Sequence, residues 1–141
     1  MDMTVEWEEG YSVGIVRFDE NHKKLCAMIN ELNAGVLQGN KKDIHASNLQ
    51  RSILKALLEY TTNHFGDEEQ LMKEYGYPDI APHKNEHEEF RGRLSGFVDA
   101  YMEDSALLTK DILDYLIGWL VKHINGTDKK YQAFFNSKGV S

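Results

Sequence analysis

The sequence predicts an all-α protein: an up-down-up-down antiparallel four-helix bundle preceded by an N-terminal arm. Apolar residues recur at steps of three and four along four long segments. The only two prolines, Pro78 and Pro82, lie four residues apart, so those segments are otherwise free of the strongest helix breaker. Breaks at 38–43, 76–82 and 103–105 separate segments of about 20 residues, each enough for a helix of roughly 30 Å. Connections this short force sequential helices to run antiparallel.

The 141 residues suit a single domain over 1–141, with the arm at 1–18 and the bundle at 19–136. Trp7 is expected to lay the arm against the bundle. The segment 13–16 has strand character but no partner strand, so it is read as part of the arm. The first helix carries Leu25, Ile29, Leu32 and Val36. The second carries Leu49, Ile53, Leu57 and Tyr60, then Leu71 and Tyr75. The third carries Phe90, Leu94, Phe97 and Tyr101. The fourth carries Ile112, Leu116 and Leu120, then Tyr131 and Phe134.

Composition removes several function classes. The formal net charge of −7 argues against a nucleic-acid surface, which needs clustered basic residues. No apolar run approaches the roughly 20 residues of a membrane span, and the acidic start of the chain does not read as a secretory signal. The single cysteine, Cys26, allows no internal disulfide and no thiolate zinc site of the CxxC type. A cytoplasmic location is expected.

The informative residues interrupt the apolar stripes. His22 lies three before Leu25. His64 and Glu68 fill the gap between Tyr60 and Leu71, His83 and His87 lead into Phe90, and His123 follows Leu120 by three. Five of the six histidines therefore fall on core-facing positions, from all four helices. One inward histidine is most often a core residue with a single partner. Five together need many polar partners, and a metal is the cheapest one they can share. His64 with Glu68, and His83 with His87, are i,i+4 pairs that share a helical face.

Imidazole with carboxylate suits iron, zinc, copper or nickel rather than calcium or magnesium. Five imidazoles exceed what one tetrahedral zinc uses, whereas two metals with bridging carboxylates would use them all. Asp128 is the natural second carboxylate. It lies five residues after His123, about 140° away on a regular helix, so a local π-type widening near Gly126 is expected to bring it round.

With these residues in hand, the chain resembles the hemerythrin family, specifically its stand-alone bacterial kind. The likeness runs from Trp7 and Tyr11-Ser12-Val13-Gly14 through Asp19-Glu20-Asn21-His22-Lys23 and His64-Phe65 with Glu68-Glu69. It continues through His83, Glu86-His87, Trp119-Leu120, His123-Ile124 and Asp128. The resemblance implies two non-haem iron ions with an oxo or hydroxo bridge. His83, His87 and His123 would serve one iron, His22 and His64 the other, and Glu68 and Asp128 would bridge. It implies reversible dioxygen binding, for carriage, storage or delivery, with O2 held as hydroperoxide on the two-histidine iron among Trp119, Leu120 and Ile124. It implies no enzymatic activity as the main role, and an oxygen-consuming enzyme as a partner. The alternatives are an oxygen or redox sensor, or a di-iron enzyme acting on peroxide, nitric oxide or ferrous iron. The donor set favours binding, because catalytic di-iron bundles use four carboxylates and two histidines in Glu-x-x-His pairs.

The remaining polar residues have simpler expectations. Asp19 is read as the N-cap of the first helix. His45, nineteen residues before His64, is read as a surface or end residue, and Cys26 as a small buried hydrophobe. Glu69, Glu86 and Glu88 are read as a solvated face, with Glu86 able to orient a ligand histidine through its second nitrogen.

Overall fold

The computed structural model describes residues 5–38, 44–103 and 110–141, with the side chains at 36–38, 44–47 and 110 outside that description. The predicted breaks at 38–43 and 103–105, and the side chains of Val36 and His45, thus lie wholly or partly outside the described residues. Four helices form an all-α bundle: α1 Val16–Gln38, α2 Ile44–Tyr75, α3 Ile80–Glu103 and α4 Lys110–Lys122. The last continues through a π-type turn, His123–Thr127, and a 3-10 turn, Asp128–Tyr131, into α5 Gln132–Ser137. Helix α1 packs beside α2 and α4, and α2 beside α3. Helix α3 meets the α4 rod where Phe90 stacks on Trp119, with centroids 4.1 Å apart.

The helices differ from expectation in three places, each for a local reason. Helix α1 begins at Val16, ahead of Asp19, because Gly14 turns the chain at φ +75. Asp19 therefore lies inside the first turn and does not serve as N-cap. Its carboxylate reaches back to accept from the Val13 N–H at 2.8 Å and the Ser12 hydroxyl at 2.6 Å, tying down the arm. The turn between α2 and α3 is shorter than 76–82: residues 80–82 are helical, and Pro82 sits in the first turn of α3, where no N–H is required of it. The buried face of α2 is also rotated from the predicted stripe. Leu54, Leu57, Phe65 and Met72 are core, whereas Leu49 is 62% exposed. This helix packs against both α1 and α3, so its core line falls between the two faces that periodicity alone cannot separate.

The arm is held by pairing rather than by strand structure. The Asn30 side chain brackets Val5, accepting from its N–H at 2.8 Å and donating to its carbonyl at 2.7 Å. Trp7 is half-buried, edge-on to Tyr11, with the Lys23 ammonium 5.4 Å from its ring centre. Gly14 lies so close to Gln132 that a Cβ there would come within 2.7 Å of it. Below the arm the core divides. One half of the bundle is apolar, built from Leu32, Leu54, Leu94, Leu113 and Leu116, and the other holds every histidine whose side chain is described.

Candidate metal centre

The polar half of the core is assembled from short helical repeats. On α2 the buried line runs Leu57, Thr61, His64, Glu68, in steps of four, three and four. On α3, His83 and His87 lie one turn apart and run into Phe90. His22 precedes Leu25 on α1. The fourth contribution depends on the π turn, where the Asp128 N–H bonds the carbonyls of both His123 and Ile124. That extra residue in the turn brings Asp128 back onto the face of His123, five positions earlier.

These seven side chains converge, and each is at most 3% exposed. Every imidazole turns Nε2 inward. Asp128 Oδ1 lies 2.9 Å from His83 Nε2 and 3.0 Å from His123 Nε2, and its Oδ2 lies 3.2 Å from His22 Nε2. Glu68 Oε1 lies 3.1 Å from His64 Nε2 and 3.5 Å from His87 Nε2. The donors form two groups compatible with metal binding: Glu68, His83, His87, His123 and Asp128 in one, and His22, His64 and Glu68 in the other. Glu68 belongs to both.

The chemistry of this donor set fits metal ions. His64 Nε2, Glu68 Oε1, His83 Nε2 and both oxygens of Asp128 approach one another at 2.9–3.2 Å but make no well-directed hydrogen bond, and His83 Nδ1 is buried without any partner. Such atoms are costly to bury unless something binds them. Burial works to protonate Asp128, but His123 beside it holds its carboxyl well below the usual carboxylate range. Glu68 is lowered too: burial and Asp128 push it up, and His64 pulls it further down. Two buried carboxylates kept ionised require positive charge nearby. Burial opposes a charged His123, yet Asp128 overrides it and raises that imidazole to about 9. His87, where burial dominates, is pushed down to about 3 and offers a neutral nitrogen. Cations bound at the centre would supply the positive charge that these two carboxylates demand.

The outward nitrogens reveal residues that sequence reasoning missed. His87 Nδ1 lies 2.9 Å from Glu69, so Glu69 does not belong to the solvated face expected for it. His64 Nδ1 meets Asn21 Oδ1 at 2.9 Å, and the Asn21 amide also donates to the Tyr60 hydroxyl at 3.0 Å. His123 Nδ1 lies 3.1 Å from Glu86, the orienting role considered for that residue. Glu86 in turn accepts from the Thr127 hydroxyl. Tyr131 is fully buried, donates its hydroxyl to Glu68 Oε2, and stacks parallel to His83. Asn21 and Glu69 each adjoin a predicted ligand in sequence, but adjacency puts a side chain about 100° round the helix. Which neighbour it meets there depends on the packing of the next helix.

Beside His123 along the chain, Leu120 and Ile124 are buried at 3% and 2% exposure. Trp119 is half-buried and stacks on His123 with centroids 4.4 Å apart, opposite its face towards Phe90. It also lines a surface cavity of about 310 Å³ with Glu86, Glu89, Lys122, His123 and Thr127. Phe65 stacks flat on His87 at 3.8 Å. Cys26 is buried, and burial pushes its thiol up to about 11. Among the described residues, no helix is long and apolar enough to cross a membrane.

A four-helix bundle with imidazoles and carboxylates from all four rods at one buried centre defines a metal-binding bundle protein. Residues 13–135 match the hemerythrin HHE cation binding domain. The chain is 36% identical to myohemerythrin of Sipunculus nudus over 127 residues, covering 90% of each chain. It is 33% identical to bacteriohemerythrin of Methylococcus capsulatus over 124 residues, covering 88% of each. A crystal structure of wild-type hemerythrin superposes with a TM-score of 0.83 at 28% identity, covering 93% of this chain and 97% of that one. The chain belongs to the hemerythrin family.

Proposed function

We propose that this chain binds dioxygen reversibly at a pair of non-haem iron ions, as a single hemerythrin-like domain over 1–141 in the cytoplasm. His83, His87 and His123 would hold one iron, His22 and His64 the other, and Glu68 and Asp128 would span both. The observation that carries this reading is the division of one buried cluster into groups of five and three donors that share Glu68. The smaller group has fewer protein donors, which leaves room for a small ligand on that side. When bound, the iron pair supplies the two electrons that let dioxygen attach and leave unchanged.

The chain's own residues do the rest. Seven fixed donors on rigid helices keep the geometry constant between ligand states. Buried Leu120 and Ile124 exclude water from one side of the centre, and Phe65 covers His87. Five neutral-capable imidazoles against two carboxylates limit the anionic charge available to stabilise highly oxidised iron, which favours binding over oxidation of a substrate. The experiment is metal analysis of freshly prepared protein, with absorption spectra of the reduced form before air, after air and after evacuation. Two irons per chain and a spectrum that returns on evacuation are expected. One zinc with no iron overturns the reading, and multiple turnover of peroxide or nitric oxide would make the protein an enzyme instead.

A sensor reading has one observation in its favour. The arm is tied to Asp19, three residues before His22, and its 3-10 turn Glu9–Tyr11 packs against the π turn that carries His123. A macromolecular partner bound in only one iron state would select this alternative.

A further inference from the structure

We propose that the two halves of the centre hold metal with unequal strength, and that Glu69 and Glu86 are the positioning residues that make the His83–His87–His123 half the tight one, released last. The inference rests on the di-iron reading above and adds a feature of the second layer of contacts.

The outward nitrogens of the five imidazoles are partnered unevenly. On one half, His87 Nδ1–H donates to the Glu69 carboxylate at 2.9 Å, and His123 Nδ1–H donates to Glu86 at 3.1 Å. On the other, His64 Nδ1–H donates to the neutral Asn21 amide at 2.9 Å, and His22 Nδ1 is buried without a partner. His83, on the first half, also has a buried Nδ1 without a partner, so the contrast between the halves lies in the acceptors behind His87, His123 and His64. Each outward bond fixes the ring so that Nε2 aims inward. A carboxylate acceptor does more than an amide: its charge draws the Nδ1 proton, leaves more electron density on Nε2, and strengthens that nitrogen's hold on a cation. Two anionic acceptors serve one half and none serves the other. The difference acts in the same direction as the larger donor count of that half.

The two carboxylates differ from one another. The Thr127 hydroxyl lies 2.7 and 2.9 Å from the two oxygens of Glu86, so that carboxylate is anchored to the π turn that also bears its histidine. Glu69 has the Lys84 ammonium 4.0 Å away, which draws off part of its field. Both carboxylates reach the surface, with side chains 21% and 42% exposed for Glu69 and Glu86, so water screens them in part. Glu86 is the better anchored of the two and Glu69 the less exposed and the closer to its histidine, so each contributes.

Donor count alone also predicts unequal release, and substitutions that leave the donors intact separate the two causes. The iron-loaded protein, reduced under argon, is mixed with excess of a coloured ferrous chelator and iron capture is followed in time. Two phases of one iron each are expected, and His64→Ala retains only the slow one. Glu86→Gln should accelerate the slow phase by about 10–100-fold and leave the fast phase unchanged. Glu69→Gln should do the same. Asn21→Asp, which puts a charge on the other half, should slow the fast phase. That opposite sign is beyond a merely structural role, and thermal melts confirm that each variant is folded. Equal acceleration of both phases, an unchanged slow phase in Glu86→Gln, or release of both irons in one phase overturns the inference alone. A parent protein that never loads two irons overturns the di-iron reading itself.

Discussion

Asp128 Oδ1 lies 3.0 Å from Nε2 of His123, although five residues separate the two on one continuous rod. A regular helix would point them about 140° apart. The π turn over His123–Thr127 removes that mismatch, and Asp128 then also meets His22 and His83 from two other helices. It is the carboxylate that joins imidazoles of both halves through its two separate oxygens.

Asp128→Asn keeps the shape of this side chain and removes its charge. Three imidazoles lose their anionic neighbour at once, so under the proposed function iron should fall from two per chain to fewer than one, with the helices retained. Iron analysis beside far-ultraviolet circular dichroism checks this. Glu88→Gln, an exposed carboxylate next to His87 in sequence, is the control and should keep its iron. Full iron content in Asp128→Asn would remove Asp128 from the centre.

Tyr131→Phe tests the buried hydroxyl on Glu68. The ring still stacks on His83, but Glu68 Oε2 is left without its donor. A buried carboxylate oxygen so abandoned costs about 1–3 kcal/mol, a fall in Tm of roughly 3–10 °C for a domain of this size. Calorimetry of the parent and variant at equal iron content gives the answer. An unchanged Tm would mean that water replaces the hydroxyl without loss.

Leu120→Ala tests the apolar wall that the proposed function assigns to this buried side chain. The cavity should cost about 2–5 kcal/mol of stability and, if Leu120 faces the centre, ease the entry of water. Under the proposed function the oxygenated form should then decay to the diferric form faster than in the parent, at matched iron content. A lifetime as long as the parent's would show that Leu120 does not guard the centre.

Cys26 should be chemically silent in the folded protein. It is 3% exposed, and burial pushes its thiol up to about 11, so at pH 8 roughly one thiol in a thousand is ionised. A disulfide reagent that releases a coloured thiolate should detect no thiol in the native state and one per chain in guanidinium. Rapid native labelling would place Cys26 on a surface that opens readily.

How much of this was legible before folding depends on the kind of residue. His22, His64, Glu68, His83, His87 and His123 could be placed inward because helical phase is a local property, and each interrupts an apolar stripe of its own helix. Asp128 was legible only together with a distortion, since the phase of a regular helix excludes it. The α2 stripe was misplaced because a helix packed on two sides has no single apolar edge, and Leu49 therefore lies exposed where Leu54 is buried.

The helices, the turn at Gly76, the family and the imidazoles that face the core are all readable from spacing along one chain. What stands behind those imidazoles is settled by how the helices pack. Glu69 and Asn21 acquire roles because helices distant in sequence bring His87 and His64 to them, 18 and 43 positions away. Tyr131 reaches Glu68 across 63 positions in the same way. Hydrogen bonds at that separation are set by how rods pack, and no periodicity within a single rod encodes them.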